Sequence, residues 1–337
     1  LLGEAPHVQE TGTGAYTAYL QGLHFMQMES PEGRAAAVDA LTRATEMDPD
    51  YAPAWAALGR VLRAKANWGD IEHNPGNETA RKAVLKALEL DDTSAEAWAA
   101  LGLIQWVYDW DWVAAEGTTR TALMYGPNNA NALVNMAFVA KTLGQFEKAV
   151  DLGQRAVTLD PLNAELLTHL SVLLWSAGRY DESVQVLERL LSLYPDHSVT
   201  YARIAFVKSA QGKPEEALRV LQNEDFDPSR YWASTYALHD LGRIEEAQQA
   251  LAYLEENTGD WLAYQIAGVF AYFGQPDKCF EWLEIAYEQR DGGVTHLLGD
   301  YSFVSVHGDP RWEPYLLKLG LLDAWRELQN KHKEADT

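Results

Sequence analysis

Apolar side chains recur every three or four positions along most of the 337-residue chain, the spacing that gathers them on one face of a helix. The stretch from Ala164 shows the pattern best. It reads AELLTHLSVLLWSAGRYDESVQVLERLLSLYPDH, with Leu167, Leu170 and Leu174 on one helix and Leu187 and Leu190 on the next. Gly178 falls where the first helix must stop and the chain reverse, a position that favours positive φ and no Cβ. Pro195 closes the second helix, because its ring removes an amide donor and cannot continue the bonding. These signals predict two antiparallel helices joined by a glycine turn. The pair repeats on a 34-residue ruler that passes through Gly144, Gly178 and Gly212, through Pro127, Pro161 and Pro195, and through Ala149, Ser183 and Ala217. The last three are small where the two helices should approach most closely.

A 34-residue period with these residues resembles the tetratricopeptide repeat family, in which each unit is two antiparallel helices. The resemblance implies an all-α fold, a right-handed α-solenoid of about eight helix-turn-helix units with a non-repeating C-terminal cap. Upstream, Trp55, Leu58 and Gly59 start a unit that ends with Ala87, Leu90 and Asp92. It is nine residues too long, and the surplus in ANWGDIEHNPGN is polar and rich in Gly, Pro and Asn, so it is predicted as an extended loop. Trp98, Leu101 and Gly102 begin the next unit, which carries one extra residue around YDWDW. Gly22, Ala37, Ala44 and Pro49 mark a divergent first unit with a short insertion near Ser30-Pro31. Downstream, Gly242 and Gly274 follow at shorter intervals, so the sixth unit should end in a clipped helix near Asp225. The predicted organisation is a lead-in over 1–15, repeats over 16–290, a cap over 291–321 and a polar tail over 322–337. The cap is expected to cover apolar surface at the open end of the array.

The formal net charge of −22 argues against direct nucleic-acid binding, which calls for a basic face. Glu182, Glu188, Glu215, Glu216, Glu245, Glu246, Glu255 and Glu256 fall in second helices and turns, where a solvated outer face or attraction to a basic partner would account for them. A single cysteine, Cys279, occupies a small-residue position and reads as a packed thiol. No segment has the unbroken apolar length of a membrane span, and the N-terminus lacks a signal pattern, so no membrane insertion is expected in this segment. A start at Leu1 suggests a piece of something longer.

Four further motifs are LLGEAP at the start, AYTAYLQGLHF with SPEG, YDWDW followed by Ala115 and Glu116, and the closing GDPRWEPYLLKLGL. Together they resemble the C-terminal repeat region of bacterial class III adenylate/guanylate cyclases and of CadC-like winged-helix regulators, over roughly Leu1 to Leu321. That resemblance implies a TolB-like domain upstream and a role in signal transduction. A cytoplasmic location is expected, with the extracytoplasmic part of a membrane-anchored parent as the alternative. No catalytic, kinase or DNA-binding part of such proteins lies in these residues.

Chemistry within the chain is sparse. Asp109 and Asp111 lack a third oxygen-rich partner for a hard cation, and Asp111 or a neighbour is better read as a helix cap beside wedged Trp110 and Trp112. Glu72 and His73 have no HExxH partner or cysteine cluster for zinc. His169 and His239 lie inside helical patterns. With no nucleophile elbow and no phosphate loop, the expectation is a non-enzyme without cofactor or metal.

The inner groove is the better candidate. The family resemblance implies that the second, fifth, ninth and twelfth positions of each first helix face the concave surface. Here they supply Arg60, Arg63, Trp106, Phe138, Lys141, Trp175, Phe206, Trp232, Tyr236, Trp261 and Tyr264 as partner-binding residues. So many aromatics point to an interaction site, unless a tight superhelix, the cap or a neighbouring domain already covers them. A clamp for acidic peptide termini is not supported, because Arg60, Arg63, Asn131, Asn135 and Lys141 are scattered. An Asn ladder is absent too, the equivalent positions including Ala57, Ala100, Asn135, His169 and Arg203. The expected occupant is an apolar protein or peptide segment, or a domain of the parent chain; a small sugar-like molecule in the same groove and homo-oligomerisation are the alternatives.

Overall fold

The computed structural model describes residues 10–28, 30–197 and 199–335, with the side chains of His73, His332, Glu334 and Ala335 excepted. The LLGEAP motif lies outside the described residues. No strand occurs among them. Sixteen helices form eight antiparallel pairs: α1 (Thr13–Met26) with α2 (Pro31–Met47), α3 (Ala52–Asn67) with α4 (His73–Leu90), α5 (Ala95–Ile104) with α6 (Trp112–Tyr125), α7 (Ala130–Thr142) with α8 (Phe146–Leu159), α9 (Ala164–Ser176) with α10 (Tyr180–Leu193), α11 (Thr200–Ala210) with α12 (Pro214–Val220), α13 (Asp227–Asp240) with α14 (Ile244–Thr258), and α15 (Ala263–Tyr272) with α16 (Pro276–Glu288). This is the expected α-solenoid of helix-turn-helix units. Two short 3-10 helices, Gly292–Gly299 and Tyr301–Val306, then precede α17 (Trp312–Lys318) and α18 (Leu322–Ala335). Two compact units divide the chain, residues 1–136 and 137–337.

The small residues of the ruler sit where the helices touch. Ala149, Ser183 and Ala217 are fully buried, and the Ser183 hydroxyl donates to the carbonyl of Ser171 at 2.8 Å. Gly178 has φ +73°, the left-handed conformation that ends α9 without a Cβ penalty. Cys279 is buried, and burial pushes its thiol up to about 12.

The irregular units resolve by local chemistry. The surplus residues of the second unit do not all form a loop. Only 68–72 separate the two helices; Ala66 and Asn67 end α3, and 73–77 form the first turn of α4. Pro75 is tolerated there because amides of a first turn have no intrahelical partner to lose. Asp70 in the short loop is held by Arg34 at 2.5 Å. The extra residue near YDWDW is absorbed by a π-helical turn, Gln105–Asp109, followed by Trp110 at φ +57°, the usual way a helix accommodates one inserted residue. Asp111 caps α6, its Oδ1 accepting from the Ala114 amide at 3.0 Å. The clipped sixth unit is the seven-residue α12 and one 3-10 turn. There the buried Glu224 carboxylate accepts the Ala202 and Phe226 amides at 3.0 and 3.2 Å.

The C-terminal segment departs most from expectation. The α17 helix does cover the last repeat pair, with the Tyr315 hydroxyl donating to the Leu283 carbonyl at 2.7 Å and Arg311 and Lys318 pairing with Asp277 and Glu284. Residues 292–306 instead run along the inner face of the second unit. The polar tail is helical as α18, and it buries Trp325 and Leu328 on its apolar stripe.

Candidate functional site

In the second unit, the first helices α9, α11, α13 and α15 turn one row of side chains toward residues 292–306. That segment is a strap seated among them. Phe303 is fully buried, with its ring 5.2 Å from Tyr264 and 6.3 Å from Trp312. Tyr301 lies 4.8 Å from Phe206, and its hydroxyl donates to the Phe206 carbonyl at 3.2 Å. The Ser302 hydroxyl meets the Tyr236 hydroxyl at 3.3 Å, and the Ser305 hydroxyl donates to the Ala271 carbonyl at 2.5 Å. Gly299 passes where a Cβ would stand 2.8 Å from Phe146 and 3.0 Å from the Ser176 carbonyl. Only glycine fits that approach.

These rings line one face of the second unit, and the strap covers them. Phe138, Lys141, Phe206, Tyr236 and Tyr264 are buried, while Trp175 and Trp232 keep partial exposure. The rings interlock: Phe206 stacks on Trp232 at 4.7 Å and meets Trp175 edge-on at 5.5 Å, and Trp175 lies parallel to His296 of the strap at 5.9 Å. Trp261 stands apart from this group. It lies in the turn before α15 and not on a first helix, where its repeat position was expected to put it; there it is 46% exposed and pairs with Phe226 at 6.4 Å.

Charged groups are buried with the rings. Lys141 Nζ lies 2.9 Å from Nδ1 of His296. Burial pulls both groups well below their ordinary pKa, and for His296 the charges of Lys141 and Arg203 add to the effect. A neutral imidazole accepts at Nδ1, which leaves its proton on Nε2. Burial raises Asp300, although its carboxylate accepts the Ser302 amide at 2.9 Å and the Tyr264 hydroxyl at 3.0 Å. Burial likewise raises Asp291, which accepts from the amides of Tyr264 and Gly293 at 2.9 and 2.8 Å. These two carboxylates fix the entry and the middle of the strap. Sequence reasoning missed Asp291, His296, Asp300, Tyr301 and Phe303, since the segment has no period to place them.

The first unit holds the remaining candidates. Arg60 and Arg63 are half-buried and Trp106 is buried in the π-turn. Arg60 lies 3.5 Å from Glu96, which also accepts from Asn129 and Asn131 at 2.9 and 3.1 Å. Asn135 donates to the Ala99 carbonyl at 2.8 Å. Glu96 thus occupies Arg60 and Asn131, while Asn135 is held by the Ala99 carbonyl and Lys141 lies against His296.

The family model for the tetratricopeptide repeat matches residues 142–204 and 174–235, the stretch in which the helix pairs, glycine turns and small contact residues keep the strictest spacing. Residues 142–235 are tetratricopeptide repeats. Among solved structures, yeast Tom70 is similar at 14% identity over 93% of this chain and 70% of its own, with a TM-score of 0.52. A tetratricopeptide repeat protein from Parabacteroides merdae aligns at 14% identity over 82% of this chain and 100% of its own, TM-score 0.49. Pseudomonas aeruginosa PilF aligns at 20% identity over 64% and 95%, TM-score 0.47. At such identity the Tom70 likeness speaks for the helical-repeat fold alone. Comparison with curated proteins gives no match.

Tetratricopeptide repeats generally mediate protein–protein interaction and are typically non-catalytic scaffolds. Among the described residues, no three His, Cys, Asp or Glu side chains gather as a metal site requires. Asp109 pairs with Arg81 at 2.5 Å and Asp111 serves as a cap, so the YDWDW carboxylates have structural partners. The side chain of His73 lies outside the described residues. No helix among those described is long and apolar enough to cross a membrane.

Proposed function

We propose that this chain is a non-catalytic interaction scaffold, the regulatory or sensory repeat region of a larger bacterial signalling protein, which recognises an apolar segment of a partner or of its parent. One observation carries the reading: the aromatic groove of the second unit already holds a peptide, the chain's own residues 292–306, through apolar rings and through the Tyr301 and Ser305 hydroxyls, which donate to main-chain carbonyls of the groove. A surface that seats one such segment has the chemistry to seat another. A partner segment would displace the strap and take its place on Phe206, Tyr236 and Tyr264. The motif likeness to cyclase-associated and CadC-like regions supports the signalling context, for which a cytoplasmic setting is the proposed location.

The test compares three forms of the chain in cross-linking capture from its native cells: wild type, a strap-loosened Tyr301→Ser/Phe303→Ser form, and that form with Trp175→Ala and Trp232→Ala. Loosening the strap should raise recovery of a specific partner, and removing the tryptophans should abolish the gain. Equal recovery by all three forms would overturn the groove as the recognition surface.

A further inference from the structure

Residues 292–306 contain a single basic side chain, His296, and it faces another base. Lys141 of α7, 2% exposed, holds its Nζ 2.9 Å from Nδ1 of the imidazole. One hydrogen bond joins the two nitrogens, so one of them must act as acceptor. Either a charged lysine donates to a neutral imidazole, or a neutral lysine accepts from a charged one. While the contact lasts, the pair therefore carries at most one positive charge. A further proton sets two donors against each other at 2.9 Å, two cations with no acceptor between them.

Every element around the pair bears on that limit. The Phe138 ring of α7 lies 5.2 Å from Nζ, and His169 of α9 meets that ring edge-on at 5.0 Å. Arg203 of α11 adds a positive charge that opposes protonation of His296. Tyr264 of α15 lies 6.4 Å from the imidazole, and burial raises its hydroxyl well above the ordinary range, so it stays neutral. Asp300 of the strap attracts Lys141, but its carboxylate is already engaged by Tyr264 and Ser302. Once the strap leaves, Lys141 and His296 meet water and return to ordinary values near about 10.4 and 6.5. At about pH 7.5 the released pair then carries one charge, and at about pH 5.5 it carries nearly two. The released state binds the extra proton, so the seated strap loses stability as pH falls through about 6.5. One such proton lowers the ratio of seated to released strap about tenfold between those two pH values. Asp291 and Asp300 act the other way, since burial raises both and acid favours their seated form. His307, next after the strap and lowered to about 4 by burial, acts in the same direction as the pair.

We propose that the Lys141–His296 contact is an acid-released latch on the strap. A second proton on the pair breaks the contact, residues 292–306 leave the groove, and Phe206, Tyr236 and Tyr264 open to an outside segment. The latch rests on the proposed groove for its purpose and not for its operation, because release of the strap needs no partner.

Hydrogen exchange of the full chain, corrected for the intrinsic pH dependence of amide exchange, reads the protection of residues 292–306 and of α10 at about pH 7.5 and 5.5. Two variants are compared with wild type. His296→Asn keeps an amide oxygen that can accept from Lys141 but takes up no proton, and Lys141→Met removes the opposing base. Asp291, Asp300 and His307 are common to all three chains and cancel. Between the two pH values, strap protection should fall about tenfold more in wild type than in His296→Asn. Lys141→Met should fall less than wild type, and α10 should stay protected throughout. Equal pH responses in wild type and His296→Asn would overturn the latch, as would equal responses in wild type and Lys141→Met; if one variant does not fold, the other decides. Loss of protection in α10 in parallel with the strap would overturn it too, since the whole unit would then be opening. Partner capture at neutral pH can fail while the strap still responds to acid, and the strap can ignore acid while the groove still captures, so the two readings fail separately.

Discussion

Phe303 and Val304 are neighbours in the strap with opposite fates: Phe303 is fully buried, and Val304 is 61% exposed. If the strap is part of the folded groove, truncating the first must be costly and truncating the second must not. Removing a fully buried Phe side chain forfeits about 1.5–3 kcal/mol of transfer free energy. A further cost arises because Tyr264 and Trp312, which pack against the ring, belong to separate elements and cannot close the hole. Phe303→Ala should therefore cost about 3–5 kcal/mol. For a unit spanning residues 137–337, each kcal/mol moves the melting temperature by roughly 2–4 °C, so a fall of roughly 6–20 °C is expected. Val304→Ala should change stability by no more than about 0.5 kcal/mol. Urea titration followed by circular dichroism reads both. A loss under about 1 kcal/mol for Phe303→Ala, or equal losses at the two positions, would refute a strap seated in the groove.

Other substitutions test other parts of the fold. Burial beside Trp312 and Trp325 lowers His307 to about 4, so the unfolded chain binds that proton more readily and stability falls as pH drops from about 6.5 toward 4. His307→Phe should shrink the loss of urea midpoint across that window, and an unchanged loss would contradict the assignment. Gly178→Ala places a Cβ at φ +73° and should cost about 1–2 kcal/mol. Gly117→Ala, inside α6 with no atom within 4 Å of the new methyl, should instead stabilise by about 0.5–1 kcal/mol; the two melting temperatures should move in opposite directions. Asp111→Ala removes the α6 cap and should cost about 1 kcal/mol by thermal unfolding, with Asp111→Ser recovering most of it.

The repeats were legible because their determinants are local. Each glycine turn, small contact residue and closing proline acts on helices within one 34-residue unit, so a period in the sequence is a period in space. The single-residue surplus at YDWDW was readable for the same reason, although its resolution into a π-turn was not. The surplus before α4 misled because Gly, Pro and Asn were weighed as loop formers, whereas a first helical turn tolerates all three. The groove candidates were named by repeat position, and Phe206, Tyr236 and Tyr264 are the ones that meet the strap. Coverage by the C-terminal segment stood among the alternatives in the sequence, but which of its residues would cover them was not readable. It depends on Tyr301 meeting Phe206 across 95 positions and His296 meeting Lys141 across 155, and the strap follows no helical period that would mark it as an insert.

That separation of 155 positions has a consequence in time. Repeat pairs can form as each emerges, because their contacts are short in sequence. The inner face of α7 must wait for His296. At roughly 5–20 residues per second of synthesis, the delay is on the order of ten to thirty seconds. Through that interval the inner face of α7 stands uncovered, and the aromatic row, complete only once Tyr264 is made, waits over the 39 positions to Phe303, roughly two to eight seconds at the same rate, open to chaperones, to neighbouring nascent chains and to any partner that arrives before the strap does. Translation stalled before Gly292 would prolong it without limit. The order of synthesis thus gives an outside segment first access to a groove that the chain later closes for itself.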